Sequence, residues 1–444
     1  MTSTSTIMDS NSFKAKDLAS LDKATAALVA RREVLGPSYR LFYQKPLHFV
    51  RGKGTRLYTA DGEEYLDAYN NIPSLGHSHP KVAQAVSQQL GLINTHTRYL
   101  HEGILDYAED LLSTLPGAID RIMFLLSGSE ANDLAVRIAK AASGSTGILV
   151  TQEAYHGNTD LIAKLSPAIG ADQPMAVDMR MIPTPDTYRL GTGDIGQWMA
   201  GCVKEQIDDL RRHGIGFAGI LLDSIFSSDG VFPDDAGFLR PVIDLVHEEG
   251  GFYIADEVQP GFARTGEAFW GFERHGIVPD IVTMGKPMAN GIACSGVATK
   301  AEVLSAFAEG SPYFNTFAGS PVAMAAASAT LAAIREDGLQ ENAKAIGSSL
   351  KEGLQELARS FPELGDVRGA GLFLGLEIVV PGSTRPDHAT AVKLIEEMRE
   401  RHVLVSLCGP AGNVVKVRPP LAFSNSDKDL FLSAFEGSLK ALGA

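Results

Sequence analysis

The sequence has few cysteines, no long apolar run and no block of like charges. Its three cysteines, Cys202, Cys294 and Cys408, are odd in number and far apart, which argues against a disulfide framework or a zinc site and favours a reducing compartment. The longest stretch with little charge, about 316–334, is rich in alanine but interrupted by serine, threonine and glycine. A buried helix explains this stretch better than a membrane span, so we expect no membrane segment and no resident metal ion.

Positive charge is also scarce. The 39 lysines and arginines are outnumbered by 53 aspartates and glutamates, which gives a formal net charge of −14 spread along the chain. An acidic protein without a basic stretch is a poor binder of nucleic acid, so we expect no such partner. The first sixteen residues lack the basic region and the apolar core of a signal peptide, and we therefore expect a cytoplasmic protein.

The middle of the chain predicts an α/β fold. A length of 444 residues suits two or three domains, or one large α/β domain with appendages. Helical patterns alternate there with short strands, several of them apolar on both faces, as in a mostly parallel sheet covered by helices on each side. The predicted strands are 121–126, 146–151, 217–223, 251–258, 280–285 and 295–299.

The two ends of the chain predict a smaller α+β unit. A helical pattern over 18–35 stops at Gly36-Pro37, and short strands follow between 47 and 69. Beyond the alanine-rich helix the chain is dominated by helices, with strand patterns at 372–380 and 413–421. We predict an N-terminal segment that joins the small domain (1–69), a large cofactor-binding domain (70–321) and a C-terminal α+β domain (322–444).

Four local features lie where predicted strands end or lead into helices: the Ser127-Gly128-Ser129 turn, Tyr155 in Tyr155-His156-Gly157, Asp256, and Lys286. Each also fits an ordinary structural role, as a capped turn, a surface aromatic residue, a turn acid or a solvated lysine. Together they supply an anion cradle, an aromatic platform, an acid for a ring nitrogen and a lysine for a Schiff base. These are the parts that pyridoxal 5'-phosphate requires, so the combination predicts that cofactor.

From about residue 36 to its C-terminus the chain resembles the class III (ω-amino acid) aminotransferase family of fold-type-I pyridoxal phosphate enzymes. That resemblance implies a seven-stranded type of mostly parallel sheet in the large domain. Six ordered motifs carry it: LGHSHPKV (75–82), SGSEAND (127–133), AYHG (154–157), ADEVQPGFARTG (255–266), GKPMANG (285–291) and NTFAGSPVA (315–323).

The resemblance implies a role for each of the four features. Lys286 forms the covalent Schiff-base link with the cofactor and acts as general base, and Asp256 pairs with the pyridinium nitrogen. Gly128 and Ser129 bind the cofactor phosphate, and Tyr155 stacks on the ring.

Three further roles follow from the same resemblance. Val258 packs against the opposite face of the ring, and Gln259 lies near the ring hydroxyl. Thr316 reaches the phosphate of the neighbouring subunit's cofactor, which implies a homodimer with shared active sites; a tetramer stays open. Pro260 and Ser320 depart from the usual family pattern, and they bear on substrate details and not on the cofactor.

Within this family the closest resemblance is to ethanolamine-phosphate phospho-lyases and their phosphohydroxylysine relatives. It rests on GPSYRLFY (36–43), YLDAYNNIPSLGHSHP (65–80) and NTHTRYLHEGILDYAEDL (94–111). The Asn71 amide, Tyr39, and the cations Arg40 and Arg418 are candidates for binding a substrate phosphate. Arg418 suits a substrate carboxylate equally well, and Tyr39 and Arg40 equally suit a structural segment that covers the site.

The resemblance implies an enzyme that eliminates phosphate from ethanolamine phosphate, giving acetaldehyde, ammonia and phosphate. Two other activities stay open: an ω-amine or ω-amino acid:keto-acid aminotransferase, and a 5-phosphohydroxylysine phospho-lyase. A cofactor-binding scaffold without activity would need neither Lys286 nor Asp256, so their presence favours an enzyme.

Overall fold

The computed structural model describes residues 9, 11–170, 172–191, 193–233 and 235–443. Its strands are β1 (Phe49–Lys53), β2 (Arg56–Thr59), β3 (Glu64–Asp67), β4 (Arg121–Leu125), β5 (Gly147–Thr151), β6 (Met179–Ile182), β7 (Phe217–Leu222), β8 (Phe252–Asp256), β9 (Ile281–Met284), β10 (Ser295–Thr299), β11 (Leu364–Ala370), β12 (Phe373–Ile378), β13 (Val403–Leu404), β14 (Ser406–Cys408) and β15 (Val414–Val417).

The α-helices of these residues are α1 (Lys23–Arg31), α2 (Pro80–Leu90), α3 (Glu102–Leu112), α4 (Gly128–Ser143), α5 (Asp160–Ala163), α6 (Thr187–Leu190), α7 (Ile195–Arg212), α8 (Arg240–Glu248), α9 (Ala301–Gly310), α10 (Pro321–Glu336), α11 (Leu339–Ser360), α12 (His388–Glu400) and α13 (Asn425–Leu442). Short 3-10 helices cover Ala15–Ser20, Arg32–Leu35, Pro167–Ile169 and Gly271–His275. In the described part of the chain, no helix combines the length and the apolar character that crossing a membrane requires.

A seven-stranded sheet forms the centre of the fold, in the order β4-β10-β9-β8-β7-β5-β6. The pairs β9–β8, β8–β7, β7–β5 and β5–β6 are parallel, whereas β10 runs antiparallel to both of its neighbours. Every residue of β5, β7, β9 and β10 is buried, because helices cover both faces. The predicted α/β fold and its six strands are confirmed; β6, at the sheet edge, was not predicted.

Two four-stranded sheets complete the fold. In the first, β1, β2 and β3 are antiparallel, and β13 from the C-terminal part pairs parallel with β3, with Val403 opposite Leu66. The second sheet, β11-β12-β15-β14, is antiparallel throughout. The pairing of β13 with β3 supports placing the N-terminal segment with the small domain, while the two predicted domain boundaries stay predictions.

The N-terminal helical pattern is divided in the structure. The single helix predicted over 18–35 is wrong: a 3-10 helix precedes α1 and another follows it. Asp22 causes the interruption, because its carboxylate accepts hydrogen bonds from the Ala24 and Thr25 amides and so begins α1. Gly36 ends the segment with a φ of 77°, as the predicted stop requires.

Candidate active site

Strand ends of the large sheet meet at a cavity of about 380 Å³. Parallel strands bring their carboxyl ends to one edge, where β5, β8 and β9 each deliver a loop. The structure brings together seven residues that the sequence analysis singled out, all lining this cavity: Gly128, Ser129, Tyr155, Asp256, Val258, Gln259 and Lys286.

Lys286 follows β9 after a single glycine, and its partly buried amine faces the cavity. Burial, followed by the positive charge of Arg418, lowers the pKa of Lys286 from 10.5 to about 8. The preceding Gly285 permits a close approach, since a Cβ there would lie 3.3 Å from the Gly128 nitrogen. The result is a nucleophilic amine beside the start of α4.

Asp256 ends β8 and is 6% exposed. One oxygen contacts Nδ1 of His156 at 2.7 Å and accepts from Nδ2 of Asn132 at 2.9 Å, while the other accepts from the Val258 amide at 3.1 Å. Asn132 is itself fixed, because the Thr283 hydroxyl donates to its Oδ1 at 2.6 Å. This network orients the carboxylate toward the cavity, and since a carboxylate only accepts, Nδ1 of His156 carries the proton.

The start of α4 forms the predicted anion cradle. The Ser127 hydroxyl accepts from the Glu130 amide, and the Glu130 carboxylate accepts from the Ser127 amide, so the helix begins with a capping box. Ser129 Oγ accepts from the Asn158 amide at 3.1 Å. Gly157 has a φ of 142°, and a Cβ there would lie 2.5 Å from Ser129 Oγ, so only glycine lets this loop close on the cradle.

The described residues fit pyridoxal phosphate. The amide-lined start of α4 suits a phosphate, the Asp256 carboxylate suits a protonated ring nitrogen, and the Lys286 amine suits an aldehyde. Tyr155 is partly buried at the cavity, and Val258 packs near Gly128, where an added Cβ would meet its methyl groups at 3.0 Å. The contact of each residue with the cofactor stays a prediction.

Thr316, Tyr39 and Arg40 lie outside the lining of this cavity. Thr316 is exposed, and so is Tyr39, at 67%. The Arg40 guanidinium contacts the Asp9 carboxylate at 2.7 Å and the Pro37 carbonyl at 2.5 Å. Their predicted roles toward substrate and partner cofactor stay predictions.

Asn71 and Arg418 also lie outside the lining of this cavity; both are buried and contact Gln259, which does line it. Asn71 Nδ2 donates to the Gln259 carbonyl at 3.2 Å, and its Oδ1 accepts from Arg264 at 2.8 Å. Arg418 donates to the Gln259 side-chain oxygen and, at 3.2 Å, to the Tyr69 carbonyl. The phosphate contacts predicted for these two residues stay predictions.

Sequence reasoning missed three supporting residues: Asn132, Thr283 and Arg264. Arg264 is 1% exposed, and burial followed by the charge of Arg418 lowers its pKa to about 9. Asn132 and Arg264 lie inside the motifs SGSEAND and ADEVQPGFARTG, so a polar residue at a buried position of a motif was the available signal.

Comparison with known proteins gives matches along most of the chain. A family model described as Aminotransferase class-III matches residues 42–439. An alanine–glyoxylate aminotransferase 2-like protein of Drosophila melanogaster is 37% identical over 434 residues, 94% of this chain and 87% of that protein. Ethanolamine-phosphate phospho-lyase homolog 1 of Caenorhabditis elegans is 34% identical over 423 residues, 90% of each chain.

A solved structure is similar over the same length. It is a phospholyase from Arthrobacter in complex with phosphoethanolamine, with a TM-score of 0.90 and 41% sequence identity. The match covers 93% of this chain and 99% of that one.

Proposed function

Because the chain belongs to the class-III aminotransferase family and is a pyridoxal-phosphate-dependent enzyme, we propose that it removes phosphate from ethanolamine phosphate. The products are acetaldehyde, ammonia and inorganic phosphate, with one water consumed. The observation that carries this proposal is the similar solved structure, which is 41% identical to this chain and holds phosphoethanolamine. The ethanolamine-phosphate phospho-lyase homologue at 34% identity supports it further.

The charge distribution supports a phosphorylated substrate. A protein of net charge −14 repels a dianion unless local cations receive it. Arg418 is a buried cation, 6% exposed, that lies behind the cavity lining and touches the side chain of Gln259, which lines the cavity. A guanidinium in this position suits an oxyanion and stabilises the charge that grows on a departing phosphate.

The residues divide the work of the reaction. When bound, the cofactor supplies an electron sink for the carbon next to the substrate nitrogen. Lys286, with its pKa of about 8, takes the proton from that carbon at its Nζ. The Asp256 carboxylate, held by His156 and Asn132, keeps the cofactor ring nitrogen protonated. Arg418 binds the phosphate group while the bond between the phosphate oxygen and the substrate carbon breaks.

An ω-amine or ω-amino acid aminotransferase is the second candidate. The relative named as an alanine–glyoxylate aminotransferase, 37% identical, favours it. A transaminase needs a keto acid to complete its cycle, whereas phosphate elimination needs none. The Arg418 guanidinium then binds a substrate carboxylate.

Product release distinguishes these activities. The purified holoenzyme is incubated with ethanolamine phosphate and no keto acid, and phosphate, ammonia and acetaldehyde are measured. We expect phosphate, ammonia and acetaldehyde to be released in equal amounts, and we expect the Lys286→Ala variant to release none of them. Turnover of amines only with added pyruvate or glyoxylate, without phosphate release, would show the transaminase instead. Preference for 5-phosphohydroxylysine in a parallel assay would change the substrate and not the reaction.

We further propose a homodimer that shares its active sites. Large apolar side chains near Thr316 are exposed, among them Phe317 at 67%, and Leu100 and Tyr99 are exposed at 100% and 66%. Such a surface is typical of an interface. Mixing Lys286→Ala and Thr316→Ala subunits should restore one intact site in each hybrid dimer; activity that stays at the level of the separate variants would contradict sharing.

A further inference from the structure

Lys416 on β15 is a buried lysine that the catalytic network does not use. It is 6% exposed, and among the described residues no hydrogen bond or ion pair is recorded for its ammonium group. Lysines are almost never buried this deeply unless they are paired, because desolvating the charge is costly. A buried ammonium group with no hydrogen bond or ion pair among the described residues is therefore expected to receive an anion from outside the chain.

Lys416 and Arg418 point to the same side of the small sheet, because side chains alternate along a strand and these two are separated by one residue. Both face the ring of Phe373: Nζ of Lys416 lies 5.9 Å from its centroid and Cζ of Arg418 lies 5.5 Å from it. Alternate Cα atoms are only about 7 Å apart, so the two cations can hold one anion between them.

This side of the sheet is turned toward the large domain. Gly375, paired across from Lys416, has no side chain, and a Cβ there would meet the Gly230 carbonyl oxygen at 3.0 Å. Phe373 packs in a cluster with Ile225 and Val231, which also belong to the large domain. The two cations therefore lie between the two domains, on the side where Arg418 touches the cavity wall.

The neighbouring carboxylates are engaged elsewhere. Asp223 and Asp229 act electrostatically on Lys416, but neither is recorded in an ion pair with it among the described residues. Asp223 accepts from the Ser227 hydroxyl and backbone, and Asp229 accepts from the Thr184 hydroxyl at 3.0 Å. Neither carboxylate therefore pairs with the Lys416 ammonium among the described residues, and burial lowers the pKa of this group.

We propose that Lys416 is the second cation, beside Arg418, of the subsite that binds the phosphate monoester group of the substrate. The inference rests on the proposed function, since it names a residue that receives the dianion. A single guanidinium suits a carboxylate, whereas two cations match the two charges of a phosphate monoester. Lys416 thereby favours phosphorylated amines over ω-amino acids.

The test uses the holoenzyme with Lys416→Met, which keeps the length of the side chain, and Lys416→Arg, which keeps the charge. Lys351→Met is the matched control, because Lys351 is a partly buried lysine that donates to the Gly369 carbonyl at 3.2 Å, away from the cavity. Binding of inorganic phosphate is measured by calorimetry, and KM and kcat are measured with ethanolamine phosphate. For Lys416→Met we expect KM and the phosphate Kd to rise about 10- to 100-fold, because the variant loses one charge-assisted hydrogen bond to the phosphate.

We expect Lys351→Met to stay close to the wild type, Lys416→Arg to retain more of the phosphate affinity than Lys416→Met, and cofactor absorbance to be unchanged in all three. If Lys416→Met does not fold, Lys416→Gln replaces it. Unchanged KM and phosphate affinity in a folded, active variant without the charge would overturn the inference. A wild type that binds inorganic phosphate through Lys416 yet releases none from ethanolamine phosphate would retain the subsite and refute the proposed function.

Discussion

The lowered pKa of Lys286 leads to a quantitative expectation for loading of the cofactor. Only a neutral amine attacks an aldehyde, so the loading rate of the apoprotein follows the neutral fraction of Lys286. With a pKa of about 8, about 9% of the amine is neutral at pH 7 and about 90% at pH 9. An ordinary lysine would be only about 0.03% neutral at pH 7 and about 3% neutral at pH 9.

The assay is stopped-flow absorbance of the apoprotein mixed with excess pyridoxal phosphate between pH 6 and 10. We expect the loading rate to rise about tenfold from pH 7 to pH 9 and then to level off. A rise of about a hundredfold over the same interval, without levelling off up to pH 10, would show an unperturbed lysine and refute the reasoning.

A second perturbation tests the cause of the shift. Arg418 is the charge that lowers the pKa of Lys286 most after burial itself. Arg418→Gln removes it, so the midpoint of the loading profile should move to higher pH. Arg335→Gln is the matched control, because Arg335 pairs with Asp110 at the surface. If the wild type, Arg418→Gln and Arg335→Gln load the cofactor with the same pH dependence, Arg418 does not lower the pKa of Lys286.

Other substitutions test the network around Asp256 and the cradle. Asp256→Ala should lower kcat by on the order of 10²-fold or more in phosphate release while the visible cofactor absorbance remains. Thr283→Val leaves Oδ1 of buried Asn132 without its donor, and urea unfolding should show a loss of about 1–3 kcal/mol. Gly157→Ala places a Cβ against Ser129, so equilibrium dialysis should show cofactor affinity weakened about tenfold. Unchanged kcat, stability or affinity, respectively, would contradict each expectation.

The sheet could be predicted where its strands are buried on both faces. A continuous apolar run such as that of β7 is readable without knowledge of its neighbours. The edge strand β6 has two of its four residues partly or fully exposed, and β11 contains Asp366, Arg368 and two glycines. In β11 the buried Arg368 is acceptable because it pairs with Glu377 at 2.7 Å, a partner on β12 that periodicity does not reveal.

The cavity residues could be predicted because each stands beside a strand end within a recognisable motif. Their supporting contacts could not, since they join distant parts of the chain: Asn132 reaches Asp256, and Arg264 reaches Asn71. Judged from the sequence alone, the side-chain amide of Asn71 is free to bind a substrate phosphate. In the folded chain Oδ1 and one N–H of this amide are already engaged with protein groups.

These engaged groups connect the cavity wall to both ends of the chain. Arg264 donates to Asn71 and to the carbonyls of Leu372 and Pro419, and Asn71 donates to the Gln259 backbone. Replacing Asn71 with alanine would therefore remove an acceptor from a buried guanidinium, at a cost of about 1–3 kcal/mol, before any substrate is bound. Since Gln259 also accepts from Arg418, the residues Asn71, Gln259, Arg264 and Arg418 are held by one continuous set of hydrogen bonds. A change at Asn71 is therefore expected to break hydrogen bonds of this set, whereas a change at Lys416, which is recorded in none of these bonds among the described residues, should leave the set intact.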